Sequence, residues 1–197
     1  MRGASRRVTV RPPRERTGAE SMIGYSIDKP PSCIRISSWR ALAMISGLTI
    51  VSGGQTGVDR AALDWALEHH VPHEGWCPAG RWAEDGRLPI RYRLRETAST
   101  DPAERTALNV QDSDGTVIFC IDPHLEAGSA LTAALARDAE RPLLIVPREW
   151  GVARAAREIL DWIESNHIRR LNVAGPRRSE QPEAGAWARC VLEALGG

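Results

Sequence analysis

The chain predicts a three-layer α/β/α sandwich on a mostly parallel sheet, and three observations carry that reading. Short apolar runs alternate with helical patterns from residue 48 onward, as in βα units that place helices on both faces of one sheet. The run Thr116–Ile121 (TVIFCI) is apolar without a break, like a strand covered on both faces. Glycine-containing turns follow apolar runs at Ser52–Gly57, around Asp122–Ser129 and at Gly175–Gly185. In an open sheet of this class those turns share the carboxyl edge, where ligands sit.

Leu48–Val51 reads as the first strand and Val58–His69 as a helix, with Val58, Ala62, Trp65 and His69 on one stripe. A Gly- and Pro-rich loop runs from Val71 to about Pro89, and Tyr92–Thr97 reads as a strand. Asp101-Pro102 is an N-cap followed by proline at the first helical position, opening a helix to about Val110. Thr116–Ile121 is the next strand and Ser129–Ala139 the next helix. Leu143–Val146, Val152–Ser165, Leu171–Ala174 and Ala184–Leu195 continue as strand, amphipathic helix, strand and closing helix.

The 197 residues suit one folded domain, 44–197, behind a tail, 1–43. Residues 1–47 hold nine basic and three acidic side chains, net +6, against −5 for the remainder. Such asymmetry is compatible with nucleic-acid or membrane-surface contact. Pro12-Pro13, Pro30-Pro31 and the lack of apolar periodicity favour instead a disordered arm, or an over-extended reading frame ahead of Met44. Neither a membrane nor a specific nucleic acid is an expected partner. No apolar run approaches the roughly 18–20 residues that span a bilayer, and no secretory signal pattern follows the arginine-rich start. Cys33, Cys77, Cys120 and Cys190 lie far apart without a CxxC pair, as reduced thiols do, so a cytoplasmic location is expected.

The most informative stretch is Leu48–Arg60. A strand enters the turn Ser52-Gly53-Gly54-Gln55-Thr56-Gly57 and leaves as a helix. Backbone N–H groups in such a turn, at the positive end of a helix, favour an anion and above all a phosphate. The turn fits neither GxGxxG, since Ser52 replaces the first glycine, nor the P-loop, whose lysine is missing. Ser52 and Thr56 add hydroxyls; Asp59 either complements the helix dipole or accepts from a ligand hydroxyl. The same glycines would also serve tight strand–helix packing. The last turn, Gly175-Pro176-Arg177-Arg178-Ser179, sets two guanidinium groups and a hydroxyl after a strand, and Arg177 or Arg178 is a candidate phosphate fork. Gly128 and Ser129 supply the turn between them. The loop Gly75–Gly86, with Arg81 among its charges, reads as a partial lid. His69, His70, His73 and Cys77 invite a zinc reading, but Pro72 opposes the helix that would align them, and no metal is expected.

Ser52–Ala62 (SGGQTGVDRAA), Gly75–Gly86 (GWCPAGRWAEDG), Leu94–Thr97 (LRET), Asn109–Gly115 (NVQDSDG) and Leu171–Ser179 (LNVAGPRRS) occur in this order. Together they resemble the molybdenum-carrier family, a circularly permuted, YpsA-like branch of the SLOG superfamily. The resemblance covers roughly residues 46–197 and implies a Rossmann-like sheet with a pocket for a phosphate-bearing ligand, in the carriers the molybdenum cofactor. It puts Gly53, Gly54, Thr56 and Gly57 at the ligand phosphate and makes Gly175, Arg177 and Ser179 a second anion-holding turn. The chain departs from the family pattern at Ala79, at Glu126–Ser129 and at Glu183–Gly185.

Three readings of function follow. The first is a non-catalytic carrier of a phosphorylated small molecule, with molybdenum cofactor as the named cargo and a nucleotide-like ligand otherwise. The second is a nucleotide hydrolase of the phosphoribohydrolase type, for which Glu84, Asp85 or Glu126 would supply the acid–base carboxylate. The third is a nucleotide sensor acting with partner proteins. Seven tryptophans, with Trp39, Trp82 and Trp150 in loops or linkers, point to self-association as a homo-oligomer, although core burial or a lid contact accounts for each equally well.

Overall fold

The computed structural model describes residues 44–122, 124–125 and 127–196. The expectations for the tail 1–43, for Trp39 and for Glu126 lie outside the described residues. In chain order the strands are β1 (Thr49–Val51), β2 (His73–Glu74), β3 (Trp76–Cys77), β4 (Trp82–Ala83), β5 (Gly86–Arg87), β6 (Arg95–Glu96), β7 (Gly115–Cys120), β8 (Leu143–Pro147) and β9 (Arg170–Ala174). The helices are α1 (Val58–Glu68), α2 (Pro102–Gln111), α3 (Ala127–Asp138), α4 (Gly151–Ser165) and α5 (Ala184–Gly196).

Five strands form one sheet in the order β2-β1-β9-β7-β8, and every pairing in it is parallel. Counted from β9 as strand one, that order becomes 3-2-1-4-5, the order of a doubly wound Rossmann sheet. The central strand therefore comes from the C-terminal part of the chain, which is what a circular permutation of the fold requires. The direction of winding reverses between β9 and β7, so the turns after these two strands flank the switch point.

The side-chain period of two assigns the layers. Val117 and Phe119 of β7 join Ile50, Leu171, Val173 and Val146 in the main core, against α1, α4 and α5. Ile118 packs on the opposite face with Ala133 of α3 and Ala174. All six residues of β7 are buried, as the unbroken apolar run predicts. Each large aliphatic side chain removed from water contributes roughly 1.5–3 kcal/mol. On α2, Asp101 accepts from the Ala103 N–H at 2.9 Å and Pro102 opens the helix, in line with the sequence reading. None of the described helices is long and apolar enough to cross a membrane.

Three details differ from the sequence reading. The stripe of α1 ends before His69, which caps the helix and meets Glu193 at 3.0 Å. The loop from Val71 to Pro89 carries four short strands, of which β2 is an edge of the main sheet. Of Tyr92–Thr97 only Arg95–Glu96 is extended, and it pairs with Trp76–Cys77 in a separate ribbon. Strands of two residues are too short for a period to register. Among the tryptophans, Trp150 packs against the main core, whereas Trp82 is 61% exposed.

The parallel pairing of β1 with β9 brings the turns beyond them together. A Cβ built on Gly57, whose φ is +79°, would lie 2.4 Å from the Pro176 carbonyl oxygen. Gly57→Ala combines that backbone clash with a left-handed conformation and should cost at least about 2 kcal/mol. Urea unfolding measures it, and a loss below about 0.5 kcal/mol would contradict this packing.

Candidate functional site

The two turns meet at the carboxyl edge as the sequence predicts. Val58 N–H donates to the Pro176 carbonyl at 3.3 Å, and Arg178 N–H donates to Thr56 Oγ1 at 3.1 Å. Ser52, fully buried, donates from Oγ to the Val173 carbonyl at 3.0 Å. Its hydroxyl thus staples β1 to β9 instead of facing a ligand. At the far side of β9, Ile121 N–H donates to Gln181 Oε1 at 3.0 Å, tying the end of β7 to the last turn.

The cation over the first turn comes from α2. A helix in a βα crossover begins at the carboxyl edge of the strands, so its first turn faces the ligand side. Arg105 lies in that turn, and a Cβ on Gly53 would fall 1.9 Å from its Nη1. The guanidinium thus lies across the glycine, which leaves it room because there is no side chain. Arg105 Nη1 pairs at 3.1 Å with Asp59, whose side chain is 4% exposed. Burial pushes the Asp59 carboxyl up, while Arg105, the Gln55 N–H and Arg60 pull against that rise. Among the described residues, Arg105 Nε and Nη2 find no acceptor, and neither do the Gly53 and Gly54 amides. Of these residues, Gly53 and Arg105 line a hollow of about 200 Å³, together with Gln55, Ala79, Trp82, Thr100 and Pro102.

The last turn holds an anion already, and it belongs to the chain. Glu84, at the tip of the β4–β5 hairpin, accepts from Ser179 Oγ at 2.6 Å, from Ser179 N–H at 3.3 Å and from Thr56 Oγ1. Its own N–H and that of Thr56 both donate to Gln55 Oε1, at 2.9 and 3.0 Å. Next to it Asp85 pairs with Arg60 at 3.1 Å, and Arg60 also donates to the Gly54 carbonyl. Burial opposes the Glu84 charge, but the hydrogen bonds from Ser179 and Thr56 outweigh it and hold the carboxyl below its ordinary range. The side-chain hydrogen bond from Arg60 lowers Asp85 likewise.

The remaining expected residues take other places. Arg81 is 6% exposed and donates to the carbonyls of Leu88, Pro89, Tyr92 and Leu94, so it pins the lid loop from within. Arg177 pairs through Nε with Glu180 of its own turn at 2.8 Å. Gly175 packs under the turn, where a Cβ would lie 2.6 Å from the Phe119 carbonyl. Gly128 and Ser129 open α3 beyond β7, one strand past β9, and Ser129 Oγ is buried without a partner among the described residues. Sequence reasoning missed Arg105. The signal available was its place three residues after the Asp101-Pro102 helix start, which is the edge-facing turn. A larger depression elsewhere is lined by Arg95, Arg141 and Arg170 among Glu74, Asp112 and Asp114. Two of its ion pairs, Arg95–Asp112 at 3.1 Å and Arg170–Glu74 at 2.8 Å, already join these charges to each other.

Because the folded-state pKa of Glu84 is depressed, its tie to the last turn is complete above the ordinary carboxylate range and is lost as pH falls through that lower value. Amide exchange of residues 82–86 should therefore accelerate at acid pH relative to the β7 amides, and Glu84→Gln should exchange fast at neutral pH as well. Equal protection in the two proteins at neutral pH would contradict the tie.

Comparisons with known proteins identify the family to which this fold belongs. Residues 50–195 match the model of the Circularly permutated YpsA SLOG family. The crystal structure of "Putative molybdenum carrier protein" from Syntrophus aciditrophicus SB superposes with a TM-score of 0.74 at 45% identity, covering 76% of this chain and 94% of that one. A comparison with curated proteins finds no match. With the match spanning nearly all of the described domain and the permuted strand order to go with it, the chain belongs to the circularly permuted YpsA SLOG family.

Proposed function

We propose that the protein binds and carries a phosphate-bearing small molecule, and that molybdenum cofactor is its leading cargo. The observation that carries this reading is the Arg105 guanidinium laid across Gly53 with two of its nitrogens unpartnered among the described residues, beside the unpartnered amides of Gly53 and Gly54. Arginine receives phosphate as a planar fork, and amide N–H groups at a helix start add to the same field. Asp59 fixes the fork from behind and leaves its outer edge to the ligand.

The name of the Syntrophus aciditrophicus protein, a molybdenum carrier, supports the choice of cargo. So do the chemistry and size of the hollow. The donors suit the phosphate end of such a cofactor, and about 200 Å³ falls below the roughly 300–1,000 Å³ of an enclosing ligand site. A cargo held at so shallow a site is not enclosed and stays accessible for hand-over, as carriage requires.

Binding without turnover also fits the carboxylates. A glycosidic hydrolase needs a protonated acid beside the leaving group. Glu84 and Asp85 are both held below their ordinary range by the groups that bond them, and Asp59 is committed to Arg105. Neither Glu84 nor Asp85 therefore stands ready as a proton donor at neutral pH, and the third candidate of the sequence reading, Glu126, lies outside the described residues.

Native mass spectrometry of freshly purified protein should reveal a bound phosphorus-containing small molecule, and a pterin or molybdenum signal would identify the cofactor. Arg105→Lys keeps a charge near Asp59 but loses the fork, so the affinity for that molecule should fall about tenfold. Unchanged affinity, or a tight complex with a ligand that carries no phosphate, would refute the reading.

A further inference from the structure

We propose that Trp82 is the residue of the hollow beside Arg105 that selects a ligand with a flat heteroaromatic ring over one that carries the phosphate alone. This rests on the phosphate-binding reading above and adds to it the residue that reads the ring.

Trp82 is the large aromatic side chain that the fold holds rigidly yet leaves uncovered. It opens β4, in a hairpin whose register pairs Trp82 with Arg87 and Ala83 with Gly86. The buried Arg81 guanidinium, bonded to four carbonyls, anchors the residue before it. Two residues after it, Glu84 is tied to both Thr56 and Ser179. The indole edge rests on Gly80, where a Cβ would lie 2.9 Å from both Cδ1 and Nε1. Despite these constraints the residue is 61% exposed.

Leaving so large an apolar side chain in water forgoes the gain of burying it. A loose loop exposes a tryptophan by default, but a hairpin pinned at both ends does so by construction. Trp82 lines the same hollow as Gly53 and Arg105. Pro78, Ala79 and Ala83 complete that wall with apolar atoms. The hollow thus combines an aromatic and aliphatic wall with a guanidinium and a glycine amide. An inorganic anion or a sugar phosphate uses only the second half. A fused heterocycle carrying a phosphate uses both, since base–aromatic stacking tolerates any flat ring and is lost on truncation to alanine.

Calorimetric titration of the full chain with ribose 5-phosphate, guanosine monophosphate and neopterin monophosphate tests this. The wild-type protein should bind at least one of the two ring phosphates about tenfold or more tighter than ribose 5-phosphate. Trp82→Ala should bring that ratio to within about twofold of one, while Trp82→Phe keeps most of it. Thermal unfolding shows whether the variants remain folded. A ratio that Trp82→Ala leaves unchanged overturns the proposal, as does an equal loss for ring and sugar phosphates, which would mean a damaged lid. A change in subunit number with unaltered ratios also overturns it and makes the indole a protein contact. If the wild-type protein binds ribose 5-phosphate but prefers neither ring phosphate, the ring proposal alone fails. If it binds none of the three, both the ring proposal and the phosphate-binding reading beneath it fail.

Discussion

The parallel pairing of β1 with β9 brings residues 121 positions apart into hydrogen-bonding range, as Ser52 Oγ on the Val173 carbonyl shows. The meeting of the first and last turns depends on it. Without that pairing Gly57 would not lie under the Pro176 carbonyl, and Thr56 would not accept from the Arg178 N–H. A linear Rossmann sheet places its strands one and two side by side through a local crossover. Here the same neighbours come from near the two ends of the described domain. Contacts of such large sequence separation are costly in loop entropy and correspondingly cooperative.

Charge at this edge is balanced by the chain itself. Asp59 neutralises part of Arg105 from the buried side, and Glu84 fills the acceptor role between Thr56 and Ser179. Under the proposed function, a phosphate would meet charges already partly compensated by the chain, which would temper affinity without removing the directional donors and would suit release of a cargo. The same charge balance also separates two tasks that sequence inspection merged: the first turn with α2 presents donors, while the last turn with Glu84 holds the hairpin in place.

How much of this was legible in the sequence depended on length and on direction. Elements of five residues or more, such as Gly115–Cys120 or Gly151–Ser165, announce themselves by period, and the meeting of the first and last turns follows from the strand class alone. The two-residue strands His73–Glu74 and Trp82–Ala83 carry no period, so the edge strand and the hairpin stayed hidden in a glycine-rich loop. Direction was the second obstacle. Arg81 and Arg177 stand in motifs that suggest a ligand, yet one turns inward to four carbonyls and the other sideways to Glu180. Arg105 stands in no motif, and only the crossover geometry brings it over Gly53.

The central claim is that an anion sits between Arg105 and the amides of Gly53 and Gly54. Titrating isotope-labelled protein with inorganic pyrophosphate, and following backbone amide and arginine Nε signals by NMR, tests it most directly. Saturable shifts concentrated at Gly53, Gly54 and the Arg105 Nε are expected. Shifts centred instead on Gly128 and Ser129, with the Arg105 signal unmoved, would contradict it.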